Sequence, residues 1–255
     1  MDTLFIGRNI IRLTETDSTN SYAKALLKDV KAPEGTIVLA ETQTNGRGQW
    51  GSTWIAEPLA NITCSLIIAP TFLNPENHFL ISKITALAIK RALAEMLPSS
   101  NYDIKIKWPN DILVNNKKIA GILIENILRA NQLSNCIIGF GINVNQEEFQ
   151  SLNDKACSIK TCLKTDTDKE ALLAKVCSHF EALYLKLKAY KYEEVNKAYL
   201  KELLFYGQIF NYNETIAMRK QSGAIENVAD NGEIHIRKSD GTLMKYLMKE
   251  ISYGY

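Results

Sequence analysis

"NGRGQWGSTW", residues 45–54, holds Gly46, Gly48 and Gly51 at the spacing G-x-G-x-x-G. That spacing is shared with dinucleotide-binding turns, in which a strand runs through the glycines into a helix, the helix N-terminus faces a pyrophosphate, and an acid about twenty residues on holds the ribose. The strand is present, since "TIVLAET" (36–42) is short, apolar and β-branched. The helix is not. After Ser52, Thr53 and Trp54 comes "IAEPLANITCSLIIA", punctuated by Pro58 and Asn61 and ending as another strand. At the position for the ribose acid stands Thr71. A nicotinamide- or flavin-binding fold is therefore set aside. What remains is a glycine-rich loop between two strands, carrying Arg47, Trp50 and Trp54.

Working outward, the 255 residues are 46% hydrophobic and 23% charged, enough for a full core and one small extra domain. A formal charge of +2 without a dense basic run argues against nucleic-acid or membrane binding through bulk electrostatics. The start, "MDTLFIGRNIIRL", is too short and interrupted for a signal peptide. A cytoplasmic, soluble protein is expected. Cys64, Cys136, Cys157, Cys162 and Cys177 form no C-x-x-C and read as reduced, mostly buried thiols. His78, His179 and His235 make no metal-ligand pattern.

Periodicity predicts a capped helix over 17–29, strands at 36–42 and 61–69, and a long helix at 76–96 with Leu80, Ile84, Leu87 and Ala88 on one side. "YDIKIKWPNDILV" alternates, breaks at Pro109 and resumes; "KKIAGILIENIL" and "NCIIGFGINVN" read as neighbouring strands joined by "RANQLS". Helices follow at 168–188 and 192–204. Beyond about 205 the chain breaks into short runs with turn sites at Asp230–Asn231–Gly232 and Asp240–Gly241, the pattern of a small barrel. The expected fold is α+β with a mixed, largely antiparallel sheet over residues 1–204, followed by a small β-domain over 205–255.

Four further segments exceed a structural account. Ser18–Thr19–Asn20 could be a helix cap alone. Gln43 ends the strand that feeds the loop. "KWPND" (107–111) flanks a proline turn with Lys, Trp and Asp. "KKIAG" sets Lys118 ahead of small residues, with Gly121 marking a close approach to the backbone, as does "GFGIN" ending in Asn143. Together, in this order, ST-N, E-x-Q-x-x-G-R-G-x-x-G-x-x-W, K-W-P-N-D, K-x-A-G-I-L-x-E and G-x-G-I-N resemble the catalytic domain of biotin protein ligases, and the tail resembles that family's small C-terminal domain.

The resemblance implies a class II aminoacyl-tRNA synthetase-like catalytic domain, an SH3-like barrel, and a reaction in two steps. Biotin and MgATP give biotinyl-5′-AMP and pyrophosphate; a lysine of a biotin carboxyl carrier protein then takes the biotinyl group. By motif correspondence Ser18, Thr19, Asn20, Gln43, Arg47, Gly48, Gln49, Lys118 and Gly121 fall on the biotin side. Gly46, Arg47, Trp54, Asn110 and Asn143 fall on the ATP or adenylate side, with Trp54 stacked on adenine. The ureido head needs buried hydrogen-bond partners. Lys118 would neutralise the biotin carboxylate, Arg47 would hold phosphate or carboxylate oxygens, and Lys107 would offset charge on the α-phosphate. Asp111 would position Mg²⁺ or the incoming amine, Mg²⁺ being held mainly by the ATP phosphates. The glycines become a lid over the adenylate. A homodimer is possible.

The chain departs from the pattern in two places. A second loop arginine found in some members is replaced by Gln49, and the usual Gly–Glu before the last strand reads Lys249–Glu250. Lipoate–protein ligases and octanoyltransferases are the rival enzymes of the same superfamily, and the acid that supports pyrophosphate exchange discriminates them. A non-catalytic biotin-binding module would have no need of Arg47, Lys107 and Trp54 together. A DNA-binding regulator is disfavoured because the S-T-N motif arrives by residue 18.

Overall fold

The computed structural model describes residues 2–29, 32–149, 152 and 154–253, with only the backbone given for Asp29 and Trp50. Seven strands form the main sheet: β1 (Ile10–Thr16), β2 (Ile37–Gln43), β3 (Ile62–Ile68), β4 (Ile104–Lys107), β5 (Asp111–Val114), β6 (Lys117–Arg129) and β7 (Gln132–Ile142). Their order is β1-β2-β3-β7-β6-β5-β4. Only β1 and β2 run parallel, and every other neighbouring pair is antiparallel. The expected mixed, largely antiparallel sheet is what forms.

The parallel pair is a β-α-β unit whose connection contains α1 (Thr19–Asp29). Strand β1 is absent from the sequence reading. Its "IIRLTET" is only partly buried, and its pairing with β2 depends on a crossover rather than on its own pattern. The joint between β6 and β7 is tighter than "RANQLS" implied. Ala130 and Asn131 alone turn it, with φ of 46° and 60°, the double left-handed conformation of a two-residue hairpin turn.

Every residue of β3 is buried, because both faces of the sheet are covered there. One face packs Val38, Ile67 and Ile137 against Ala23 of α1. The other carries the main core under α2 (Phe79–Met96) and α4 (Lys169–Lys188). The sequence places α2 in one helix over 76–96; the chain instead makes a short 3-10 turn at Pro75–Asn77, capped by Asn74, before α2 begins. Asp168 caps α4 through the N–H groups of Glu170 and Ala171. Two further helices are α3 (Ile159–Leu163) and α5 (Tyr192–Glu202); α3 was not anticipated.

Strands β8 (Ile209–Glu214), β9 (Arg219–Val228), β10 (Ile234–Arg237), β11 (Leu243–Tyr246) and β12 (Ile251–Ser252) make a second, antiparallel sheet in the order β11-β10-β9-β8-β12. It is tied to the first part by Lys83 of α2, whose ammonium donates to Asn196 Oδ1 and Val228 O at 2.7 Å and Asp230 Oδ1 at 2.8 Å. Trp108 adds a second tie: its Nε1 donates to Gly232 O, and its carbonyl accepts from Tyr253 Oη. Lys249, at the usual glycine position, keeps a left-handed φ of 74°.

Candidate active site

The parallel strands β1 and β2 end side by side, with Thr16 opposite Gln43. From there one chain end enters α1 and the other the glycine loop. Gln43 turns back so that its Oε1 accepts the Thr19 N–H at 2.8 Å, satisfying an otherwise orphaned donor at the start of α1. The capping reading of Ser18–Thr19–Asn20 is thus half right: the cap comes from a glutamine on the adjoining strand. That leaves Ser18, Thr19 and Asn20, all buried, as polar wall.

Beside this wall the sheet is hollowed by its own glycines. Lys107, Asp111, Gly121, Gly141 and Thr63 lie in one transverse register row across β4, β5, β6, β7 and β3. Two residues along, Leu123, Gly139 and Ser65 make the next row. Side chains at i and i+2 of a strand share a face, so Gly121, Gly141 and Gly139 leave a trough. Asn20 lies in it; a Cβ at Gly139 would come 2.2 Å from Asn20 Oδ1. Ser65 Oγ sits 2.6 Å from that same Oδ1 and 2.8 Å from Thr19 Oγ1. The indole of Trp54 fills the rest, so a Cβ at Gly141 would come 2.2 Å from Trp54 Cε2.

These groups line a cleft of about 220 Å³ whose walls include Ser18, Thr19, Asn20, Gln43, Arg47, Gly48, Gln49, Trp54, Asn110, Asp111, Lys118 and Gly121. Gly46, Lys107 and Asn143 are not among its walls. Gly46 instead meets the carbonyl of Trp54, which a Cβ there would approach to 2.3 Å. The loop is a closed hairpin of its own: Trp54 N–H donates to Gly46 O, Gly48 N–H to Ser52 O, and Arg47 pairs with Thr53. The close approaches expected between loop backbone and ligand are made here between the loop's two arms. Asn143 is buried and donates to Cys157 O at 3.0 Å. Lys107 Nζ lies over the Tyr253 ring at 5.3 Å, and burial pulls its pKa below the ordinary lysine value, against an opposing pull from Asp111 and with a smaller push from Lys118.

At the cleft wall, Lys118 Nζ stands 2.7 Å from Asp111 Oδ1 and 5.7 Å from the centre of the Trp54 ring. The ion contact falls outside hydrogen-bonding geometry, and the buried Asp111 Oδ1 and Trp54 Nε1 have no hydrogen-bond partner. Buried polar atoms are rarely left so. Here two belong to residues that line the same cleft.

Glu125 and Ser65 are functional candidates that the sequence reading did not assign. Glu125 accepts from Asn20 Nδ2 at 2.9 Å and holds Arg47 at 3.4–3.5 Å, with Lys24 3.9 Å away. The signal was available: an acid inside "GILIEN" and a serine inside "ITCSLII" are polar groups on otherwise apolar strands and need partners. Among the described residues, no three His, Cys, Asp or Glu side chains gather into a metal-ligand group, and Asp111 is the one acid lining the cleft. A single carboxylate fits Mg²⁺, which keeps waters and takes few protein ligands.

A profile of the biotin/lipoate A/B protein ligase family matches residues 12–143, which contain every residue of the cleft. The bifunctional ligase/repressor BirA of Bacillus subtilis is 33% identical over 187 residues, covering 72% of this chain, which spans 56% of that relative's length. The biotin–[acetyl-CoA-carboxylase] ligase of Paracoccus denitrificans is 27% identical over 90% of this chain and 94% of its own. The solved biotin protein ligase from Aquifex aeolicus, in complex with biotin and ATP, matches with a TM-score of 0.76 at 27% identity, over 96% of this chain and 98% of that one. Sheet order, cleft and profile agree: the chain belongs to the biotin/lipoate A/B protein ligase family.

Proposed function

We propose that this chain is a biotin protein ligase. It activates biotin with ATP to biotinyl-5′-AMP, releasing pyrophosphate, and transfers the biotinyl group to a lysine of a biotin carboxyl carrier protein. The observation that carries this reading is convergence: side chains from α1, β2, the glycine loop, β5 and β6 meet in one cleft with a hydrogen-bonding wall and two cations, Arg47 and Lys118. In this reading residues 1–204 form a catalytic domain of the class II aminoacyl-tRNA synthetase type. Residues 205–255 form an SH3-like barrel, and the enzyme works in the cytoplasm.

Ser18, Thr19, Asn20 and Gln43 offer the donors and acceptors that a buried ureido ring requires. Lys118 then faces the carboxylate at the far end of the acid. Asp111 holds Lys118 before the carboxylate arrives and accepts a hydrogen bond from the incoming lysine amine in the transfer step. Asp111, the acid that lines the cleft, would be the side chain available to an ATP-bound Mg²⁺, which would supply charge neutralisation at the phosphates. No covalent enzyme intermediate is needed; the work is alignment, charge stabilisation and exclusion of water from the anhydride.

Two groups must move for ATP to bind. Arg47 leaves Glu125 for the phosphate, and the Trp54 indole leaves the glycine trough to stack on adenine. Room for the nucleotide lies alongside, where a second cleft of about 290 Å³ shares Gln49, Asn110, Ile122 and Leu123 with the first and reaches His78 and Met248. Incubating the protein with biotin, MgATP and a carrier domain should add the mass of one biotinyl group to the carrier lysine. A carrier of unchanged mass, with a control ligase active on the same carrier, would refute the assignment.

A further inference from the structure

Cys157 and Cys162 are not among the residues that line the cleft, and their placement follows from a helix-capping motif. In "CSIKTC" (157–162), Ser158 caps α3, and Ser158 and Thr161 form a reciprocal capping box. The residue before the cap and the fourth helical residue are then brought together, usually as two apolar side chains clipping the helix entry. Here both positions are cysteine. Their thiols line one open cleft of about 660 Å³ with Tyr102, Lys117, Glu147, Glu148 and Lys164. Cys157 is 6% exposed, with its Sγ 3.6 Å from Lys117 O; Cys162 is partly exposed. The turn is hydrogen-bonded to the strand carrying Lys118: Cys157 N–H donates to Lys118 O, and Lys118 N–H donates to Lys155 O.

We propose that Cys157 and Cys162 are a dithiol oxidation site, at which a hydroperoxide is reduced and an intramolecular disulfide closes across the entry to α3. The Cys162 thiolate attacks the peroxide O–O bond; one oxygen stays on sulfur as a sulfenic acid, and the other leaves, protonated, as alcohol or water. The Cys157 thiol then attacks Cys162 Sγ. The S–O bond breaks, water departs with the Cys157 proton, and the S–S bond forms. Two thiols are oxidised by two electrons and one peroxide is reduced.

The division of roles rests on accessibility and charge. Cys162 is the more exposed thiol, and its pKa falls to about 7 because Cys157 hydrogen-bonds to it, with Lys164, Thr161 and Lys117 adding to the effect against burial. The Cys157 thiol is pushed up by its hydrogen bond to Cys162 and by burial, which keeps it protonated and leaves the attack on peroxide to Cys162. Lys160, between the two cysteines in the chain, is paired with Glu147 and Asp166. Burial pushes Cys136 and Cys177 up to about 12, and Cys64 well above the ordinary thiol value. The site stands independently of the ligase reading.

Trypsin makes the test direct, because Lys155, Lys160 and Lys164 place the two cysteines in separate peptides, 156–160 and 161–164. The reduced full chain is treated with limiting hydrogen peroxide, quenched with N-ethylmaleimide in denaturant, and digested without reductant. The expected product is peptides 156–160 and 161–164 joined with loss of two hydrogens, forming at least about tenfold ahead of any loss of free thiol at Cys64, Cys136 and Cys177. In Cys157→Ser the reaction should stop at a sulfenic acid on Cys162, captured by dimedone, and Cys162→Ser should leave Cys157 reduced. Absence of the joined peptide in the unsubstituted chain, or its formation no faster than oxidation of the other three thiols, would overturn the proposal.

Discussion

Two of the lysine–aspartate pairs among the described residues have nearly equal length and opposite character. Lys83 and Asp230 meet at 2.8 Å, and Lys118 and Asp111 at 2.7 Å. The Lys83 side chain is 1% exposed, and three acceptors surround its ammonium. Burial still drags its pKa below the ordinary value, opposed by its hydrogen bond to Asp230. The Lys118 side chain is 34% exposed, with one carboxylate outside hydrogen-bonding geometry and an indole face for company. Distance alone does not separate a structural pair from a functional one. The count of satisfied donors does: the first lysine is complete, while the second has capacity left for a ligand.

The largest effect is therefore expected at the complete pair. Lys83→Met should cost about 3–5 kcal/mol of folding stability, because it leaves Val228 O and the side chains of Asn196 and Asp230 without their shared donor. Lys118→Met should cost less than about 1 kcal/mol, as a partly exposed pair does. Equal losses in urea unfolding of the two variants would show that satisfied donors do not set the two lysines apart. The order should reverse in activity. Lys118→Met should lower biotinyl-adenylate formation by at least about thirtyfold, the scale for removing one partner of a buried charge contact with substrate; normal adenylate formation would take Lys118 out of the site.

Trp54→Ala comes next. It should weaken ATP use by about 1–3 kcal/mol, the value of stacking a base on an aromatic ring, with a smaller change in biotin affinity by calorimetry. A collapse of biotin affinity alone would assign the indole to the trough and not to adenine. The smallest effect belongs to Glu125→Gln. Freed of an ion contact worth about 0.2–1 kcal/mol, Arg47 should be cut by trypsin faster in the ligand-free protein, and biotin with MgATP should suppress that cleavage. Cleavage unaltered by the substitution would show that Glu125 does not hold the loop.

The same pairs show what the sequence could and could not tell. Lys118 was legible because it precedes a strand whose Ala120 and Gly121 break the apolar pattern. Lys83 was not, because a lysine inside "FLISKITALAI" reads as a helix surface position, and its acceptors lie more than a hundred residues away. Long periodic elements such as α2, α4, β6 and β7 fall close to their expected bounds. Strand β1 and helix α3 escaped notice because one depends on a crossover pairing and the other on a five-residue cap. In the cleft, motif order named most of the lining residues. It could not place Asn143 behind the wall or lay Trp54 on its own sheet, since both depend on strand register.

Biotin-dependent exchange of pyrophosphate into ATP reads the chemistry assigned to Lys118 without a carrier protein. With purified protein and MgATP, exchange should appear on adding biotin and should not appear with lipoate or octanoate. Exchange supported by lipoate or octanoate as well as by biotin, or none with biotin, would rule out a biotin-specific ligase.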